Sequence, residues 1–93
     1  MDLCGRPTEQ MKAHVILYTR PGCHLCEEAK AEIEAANCAE NYTLEEVNID
    51  LDTTLKERYG LEIPVIFING VKAFKYRLTS AEFKNKLKRL SRN

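Results

Sequence analysis

A chain of 93 residues supports one domain with a single core and is too short for two domains that each bury one. Lysine plus arginine and aspartate plus glutamate number 14 each, so no net field draws the molecule toward nucleic acid or an anionic membrane. The longest apolar runs, residues 15–18 and 64–68, fall far short of the roughly 20 residues a membrane helix needs. The first residues show neither a signal-peptide core nor the Arg-rich, acid-poor character of a transit peptide, so the expectation is a cytoplasmic protein.

Residues 1–12 mix Gly, Pro, charged and polar side chains without period and read as a flexible leader before one domain over 13–93. Residues 14–19 are rich in β-formers and stop at Arg20-Pro21-Gly22, as expected for a strand buried on both faces that runs into a tight turn. From 23 to 38 the period becomes helical, with Leu25, Ala29, Ile33 and Ala36 on one stripe and Glu27, Glu28, Lys30 and Glu34 outward. Residues 42–49 form a second strand. A short helix follows, capped by Asp50 or Asp52 and stopped at Gly60. Asn69-Gly70 between residues 65–68 and 71–75 marks a β-hairpin, because both residues accept positive φ.

The last helix has the strongest local signature. Thr79 with Glu82 makes a capping box, Leu78 with Phe83 a hydrophobic staple, and the lysines and arginines beyond them a solvated face. The order β-α-β-α-β-β-α, with a right-handed crossover and a closing hairpin, gives an α/β protein with a central four-stranded mixed sheet. That architecture is the thioredoxin fold.

Cys23-His24-Leu25-Cys26 falls where the first strand has ended and the first helix begins. A helix N-terminus stabilises a thiolate through unpaired N–H groups and the dipole, which marks Cys23 as the nucleophile. A thiol three residues on, Cys26, is placed to resolve the mixed disulfide. A buried structural pair, or half of a zinc site, are the alternatives, although zinc usually takes four ligands and a second such pair is absent. A protonated His24 would favour the Cys23 thiolate, unless it is only a solvent-facing spacer, and Glu27 and Glu28 oppose it. Cys38, roughly 18 Å along the helix from Cys26, reads as a structural thiol, and Cys4 as an inert thiol on the leader. Ile63-Pro64 opens the third strand, where a cis bond would leave the neighbouring backbone free to pair with an extended substrate.

The run Leu17-Tyr18-Thr19-Arg20-Pro21-Gly22-Cys23-His24-Leu25-Cys26, together with Ile63-Pro64-Val65 and the element order, resembles the glutaredoxin-like branch of the thioredoxin superfamily over about residues 13–90. The resemblance implies a redox-active Cys23 and Cys26, a cis bond at Pro64, and a reductant such as glutathione or a reductase. It further implies a monomeric thiol–disulfide oxidoreductase, with Arg20, His24, Ile63 and Pro64 meeting a disulfide-containing protein or glutathione mixed disulfide. No resident metal or cofactor is expected, glutathione being a cosubstrate. The alternatives are an iron–sulfur or metal-carrying relative and a redox-inert binding module. The chain departs from glutaredoxins in having His24-Leu25 for Pro-Tyr, and Lys75-Tyr76-Arg77 near the place of a Gly-Gly pair. Bulk there predicts weak glutathione use, offset in part by the charge of Arg20, Lys75 or Arg77.

Overall fold

The computed structural model describes residues 12–38 and 41–91. The expected leader with its Cys4 therefore lies, apart from Lys12, outside the described residues, and so does the division of the chain that rests on it. The first strand, β1 (Ala13–Thr19), alternates fully buried Ala13, Val15 and Leu17 with more exposed His14, Ile16 and Tyr18. The expected two-sided burial is thus corrected: one face is sealed and the other only half covered. The first helix, α1 (His24–Ala35), is followed by β2 (Tyr42–Asn48), which runs parallel to β1 in the register Val15–Leu44 and Leu17–Glu46. A 3-10 turn, Ile49–Leu51, leads into α2 (Thr53–Tyr59). β3 (Val65–Ile68) and β4 (Val71–Lys75) precede α3 (Ser80–Ser91). The sheet order is β2-β1-β3-β4, with β1–β3 and β3–β4 antiparallel.

Helices α1 and α3 cover the same face of the sheet. Ala29 and Ile33 of α1 and Phe83 and Leu87 of α3 share one buried cluster with Val15, Leu17, Ile66 and Ile68. Tyr42 adds an edge-on ring contact to Phe83 at 5.4 Å between centroids. The other face carries a smaller aromatic group. Tyr59 of α2 stacks on Tyr18 at 4.8 Å, and Phe67 meets both rings edge-on. The register explains the division, since Ile66 and Ile68 lie opposite Leu17 and Val15 while Phe67 lies opposite Ile16.

The hairpin turn sits at Asn69 (φ 52°) and Gly70 (φ 83°), as the Asn-Gly pair requires. Asn69 also ties three elements together. Its Oδ1 accepts the His14 N–H at 2.9 Å and its Nδ2 donates to the Leu90 carbonyl at 3.0 Å. Thr79 and Glu82 close the expected capping box, both bonds being 3.1 Å. The α1 boundary differs from expectation: the helix ends at Ala35, and Asn37 turns into the left-handed region at φ 62°. Among the described residues no helix is long and apolar enough to cross a membrane.

Candidate functional site

The turn before α1 presents the cysteines. Pro21 and Gly22 occupy the centre of a β-turn closed by the Cys23 N–H donating to the Arg20 carbonyl at 3.2 Å, with Gly22 at φ 80°. A glycine third in such a turn supplies the positive φ, and a proline second pre-sets its own. The chain then enters α1 with Cys23 as N-cap, its Sγ accepting the Cys26 N–H at 3.2 Å. The sulfur thereby takes the place of the oxygen that caps most helices. Cys23 and Cys26 form a disulfide with Cα atoms 5.2 Å apart. Cys23 is half-buried, whereas Cys26 is only 3% exposed, so attack from outside is possible at the first sulfur alone.

A cleft of about 370 Å³ opens beside the pair, with Cys23, Cys26, Arg20, Lys30 and Glu46 among its walls. Arg20, Lys30 and Glu46 are each paired. Arg20 donates through Nε (3.1 Å) and Nη2 (2.9 Å) to the same Asp50 oxygen. Lys30 of α1 reaches Glu46 of β2 at 2.8 Å. The hydrogen bond to Glu46, reinforced by the carboxylate's charge, holds the Lys30 ammonium above the usual lysine value. A second cleft of about 400 Å³ lies along the other flank of α1, between Leu25 and Glu28 and the connection Tyr76–Thr79 that leads from β4 to α3.

Of the residues expected at the site, Cys23, Cys26 and Arg20 share the first cleft. His24 is exposed at the first position of α1. Ile63–Pro64 is cis, as the resemblance implies, with Pro64 buried, but neither residue lines that cleft. The expectation of a free backbone beside Pro64 is corrected in part. The Ile63 N–H donates at 3.1 Å to the Tyr59 carbonyl, because the last carbonyls of α2 need donors. The Pro64 carbonyl accepts the Tyr76 N–H at 2.9 Å. Cys38, expected as a free structural thiol, is buried but is not free. Sequence reasoning placed Lys30 on an outward helix face and Asp50 as a possible helix cap, and assigned neither of them, nor Glu46, to the site. Lys30 had a readable signal in its spacing of four from Cys26, whereas the partners on and after β2 have none in the local sequence.

The connection from β4 to α3 is unusually committed. Tyr76 sits at φ 70°, and the next N–H, that of Arg77, folds back to the Lys75 carbonyl at 2.8 Å, which makes a γ-turn. The Thr79 N–H goes to Glu82 at 3.1 Å and the Ser80 N–H to the Glu32 carboxylate at 2.8 Å.

Residues 14–88 match the family model described as a glutaredoxin-like domain (DUF836). Among solved structures, protein Ne2328 from Nitrosomonas europaea is 31% identical with a TM-score of 0.69, over 88% of this chain and 96% of that one. Protein XcR50 from X. campestris is 27% identical with a TM-score of 0.70, over 78% and 93%. A mutant thioredoxin from Halobacterium salinarum, at 13% identity and a TM-score of 0.62 over 90% and 79%, shares the fold alone. With its cysteine pair at the head of α1 and its cis proline before β3, the chain belongs to the glutaredoxin-like family of the thioredoxin superfamily.

Proposed function

We propose that the protein is a thiol–disulfide oxidoreductase that reduces protein or glutathione mixed disulfides, with Cys23 attacking and Cys26 resolving. The observation that carries this reading is the unequal placement of the two sulfurs, half-buried at the N-cap and buried one turn on. In the reduced protein the Cys23 thiolate attacks one sulfur of the substrate disulfide, whose S–S bond breaks and whose other sulfur leaves as a thiolate and takes up a proton. Cys26 then attacks Cys23 and expels the second substrate thiolate. The protein is left as the Cys23–Cys26 disulfide, and a dithiol donor returns two electrons and two protons.

The same reading extends to the donor. Glutathione would bring carboxylates that need backbone or cationic partners. Around the connection to α3 the N–H groups of Tyr76, Arg77, Thr79 and Ser80 all have partners within the chain, and Arg20 is held by Asp50. These commitments support a dithiol or a thioredoxin-type reductase as the better donor. The test is turnover of a model protein disulfide by the wild type and by Cys23→Ser, each with dithiothreitol and with glutathione plus its reductase. Activity that is lost in Cys23→Ser, and that is several-fold faster with the dithiol, is expected. Undiminished activity in Cys23→Ser refutes the oxidoreductase reading, and fast saturable turnover with glutathione alone refutes the donor reading.

A further inference from the structure

The cleft of about 400 Å³ along the other flank of α1 starts at Leu25, two residues after Cys23, and the exchange steps make no use of it. Leu25, Ala29 and Leu78 give it apolar walls, and Tyr76 stands at it with 46% of its surface exposed. Its charge is one-sided. Glu28 and Glu32, one turn apart on α1, and Glu82 of α3 set three carboxylates against the single guanidinium of Arg77. Among the described residues no ion pair joins Arg77 to any of the three. Two of them stand where an incoming anion would otherwise be held, at the start of α3, whose N–H groups and dipole favour negative charge. The Glu32 carboxylate accepts the Ser80 N–H at 2.8 Å, and the Glu82 carboxylate accepts the Thr79 N–H at 3.1 Å. The anion position is thus filled from within the chain, and each carboxylate keeps a second oxygen for another donor.

We propose that this cleft docks the segment of a protein substrate that flanks its disulfide, and selects segments carrying lysine or arginine two to four residues from the cysteine. This rests on the oxidoreductase reading and names the substrate class for it. The spacing follows from two rises. Along α1, at 1.5 Å per residue, Glu28 lies about 7.5 Å and Glu32 about 13.5 Å beyond Cys23. An extended chain advances about 3.3 Å per residue, so a substrate cysteine held at Cys23 sets its second neighbour by Glu28 and its fourth by Glu32. Alternate residues of that chain point the same way, so both cations can face α1 while their aliphatic stems lie on Leu25 and Tyr76. Tyr76, whose N–H is bonded to the Pro64 carbonyl at 2.9 Å, ties this cleft to the cis proline. In the first cleft, by contrast, Arg20, Lys30 and Glu46 are already paired within the chain. The formal net charge of the chain is zero, so the selection belongs to the cleft and not to the field of the whole molecule.

The test uses the full chain, reduced, and three disulfide-linked homodimeric peptides that differ only two and four residues to either side of the cysteine, where they carry lysine, glutamine or glutamate. Peptide thiol released in a single turnover is measured. Each rate is divided by that of the same peptide with dithiothreitol, which removes the peptide's own reactivity. At low ionic strength the wild type is expected to favour the lysine over the glutamate peptide by about three- to tenfold, the scale of two exposed ion pairs. The preference should shrink with added salt and fall in Glu28→Gln and in Glu32→Gln. It should persist in Glu57→Gln, which removes the same charge from α2 on the opposite face. Glu32→Gln keeps an oxygen for the Ser80 N–H, and the Glu28 side chain holds no other group among the described residues, so neither variant withdraws a bond from the fold. Equal normalised rates, a preference for glutamate, a lysine preference unchanged in both cleft variants, or one lost equally in Glu57→Gln overturns the inference. Failure of the wild type to reduce any of the peptides would instead refute the oxidoreductase reading.

Discussion

At Cys23 the sulfur caps a helix, and that single placement separates it from Cys26 and Cys38. In the reduced protein, iodoacetamide at neutral pH should alkylate Cys23 well before Cys26, which peptide mass mapping over time would read; earlier labelling of Cys26 would contradict the assignment. Gly22 is the other residue on which the turn depends. A methyl group there would meet nothing within 4 Å, so Gly22→Ala tests conformation alone. With φ at 80° the substitution should cost about 1–2 kcal/mol and lower the denaturant midpoint without changing the slope. Residues such as these were legible because their partners are neighbours in sequence: Arg20-Pro21-Gly22 spells a turn, and Cys23 and Cys26 lie one helical turn apart. Arg20 with Asp50 and Lys30 with Glu46 were not, because parallel pairing of β1 and β2, and not local sequence, brings those partners together.

Among the elements, α3 was the most legible and the segment before it the least. Thr79 and Glu82 satisfy each other's N–H groups as their spacing foretells, and Leu78 and Phe83 are both buried in the main cluster. For α2, Asp52 rather than Asp50 is the cap, accepting from Thr54 and Leu55, because Asp50 faces Arg20. Gly60 ends that helix at φ −56°, so its freedom to turn left-handed is not used. The γ-turn at Tyr76 had no signal, since a tyrosine at φ 70° goes against its own preference and is held there by the Pro64 carbonyl. Tyr76→Gly should therefore leave stability nearly unchanged: relief of the left-handed strain, about 1–2 kcal/mol, offsets the entropy glycine adds to the unfolded chain. It should also raise glutathione-dependent turnover more than dithiol-dependent turnover. An equal effect on both donors would show that the connection does not discriminate between them.

At the scale of the molecule, the described residues form an asymmetric sandwich, with two helices on one face of the sheet and one short helix on the other. Element order and the hairpin were readable from period and turn chemistry, whereas the unequal burial of the two faces follows only once the register is known. Each face carries a tyrosine held neutral. Burial first, then the charges of Tyr59 and Glu45, raise Tyr18 above the usual phenol value, and burial followed by Glu34 does the same for Tyr42. Because the folded values lie above the unfolded one, this stabilisation is complete below the ordinary phenol range and is lost as pH rises through the folded values. Unfolding free energy should fall in that alkaline window together with the rise of phenolate absorbance. An alkaline transition below the ordinary phenol pKa would contradict the burial of both rings.

The central claim is that one sulfur attacks and the other resolves, and covalent trapping tests it most directly. Cys26→Ser and Cys23→Ser, each reduced and then mixed with a disulfide-bearing protein, are to be compared by intact mass before and after dithiothreitol. The account predicts that Cys26→Ser accumulates a mixed disulfide through Cys23, releasable by the reductant, while Cys23→Ser accumulates almost none at this site because Cys26, the other thiol of the pair, is buried. Equal trapping by the two variants, or trapping through Cys26 alone, would contradict it.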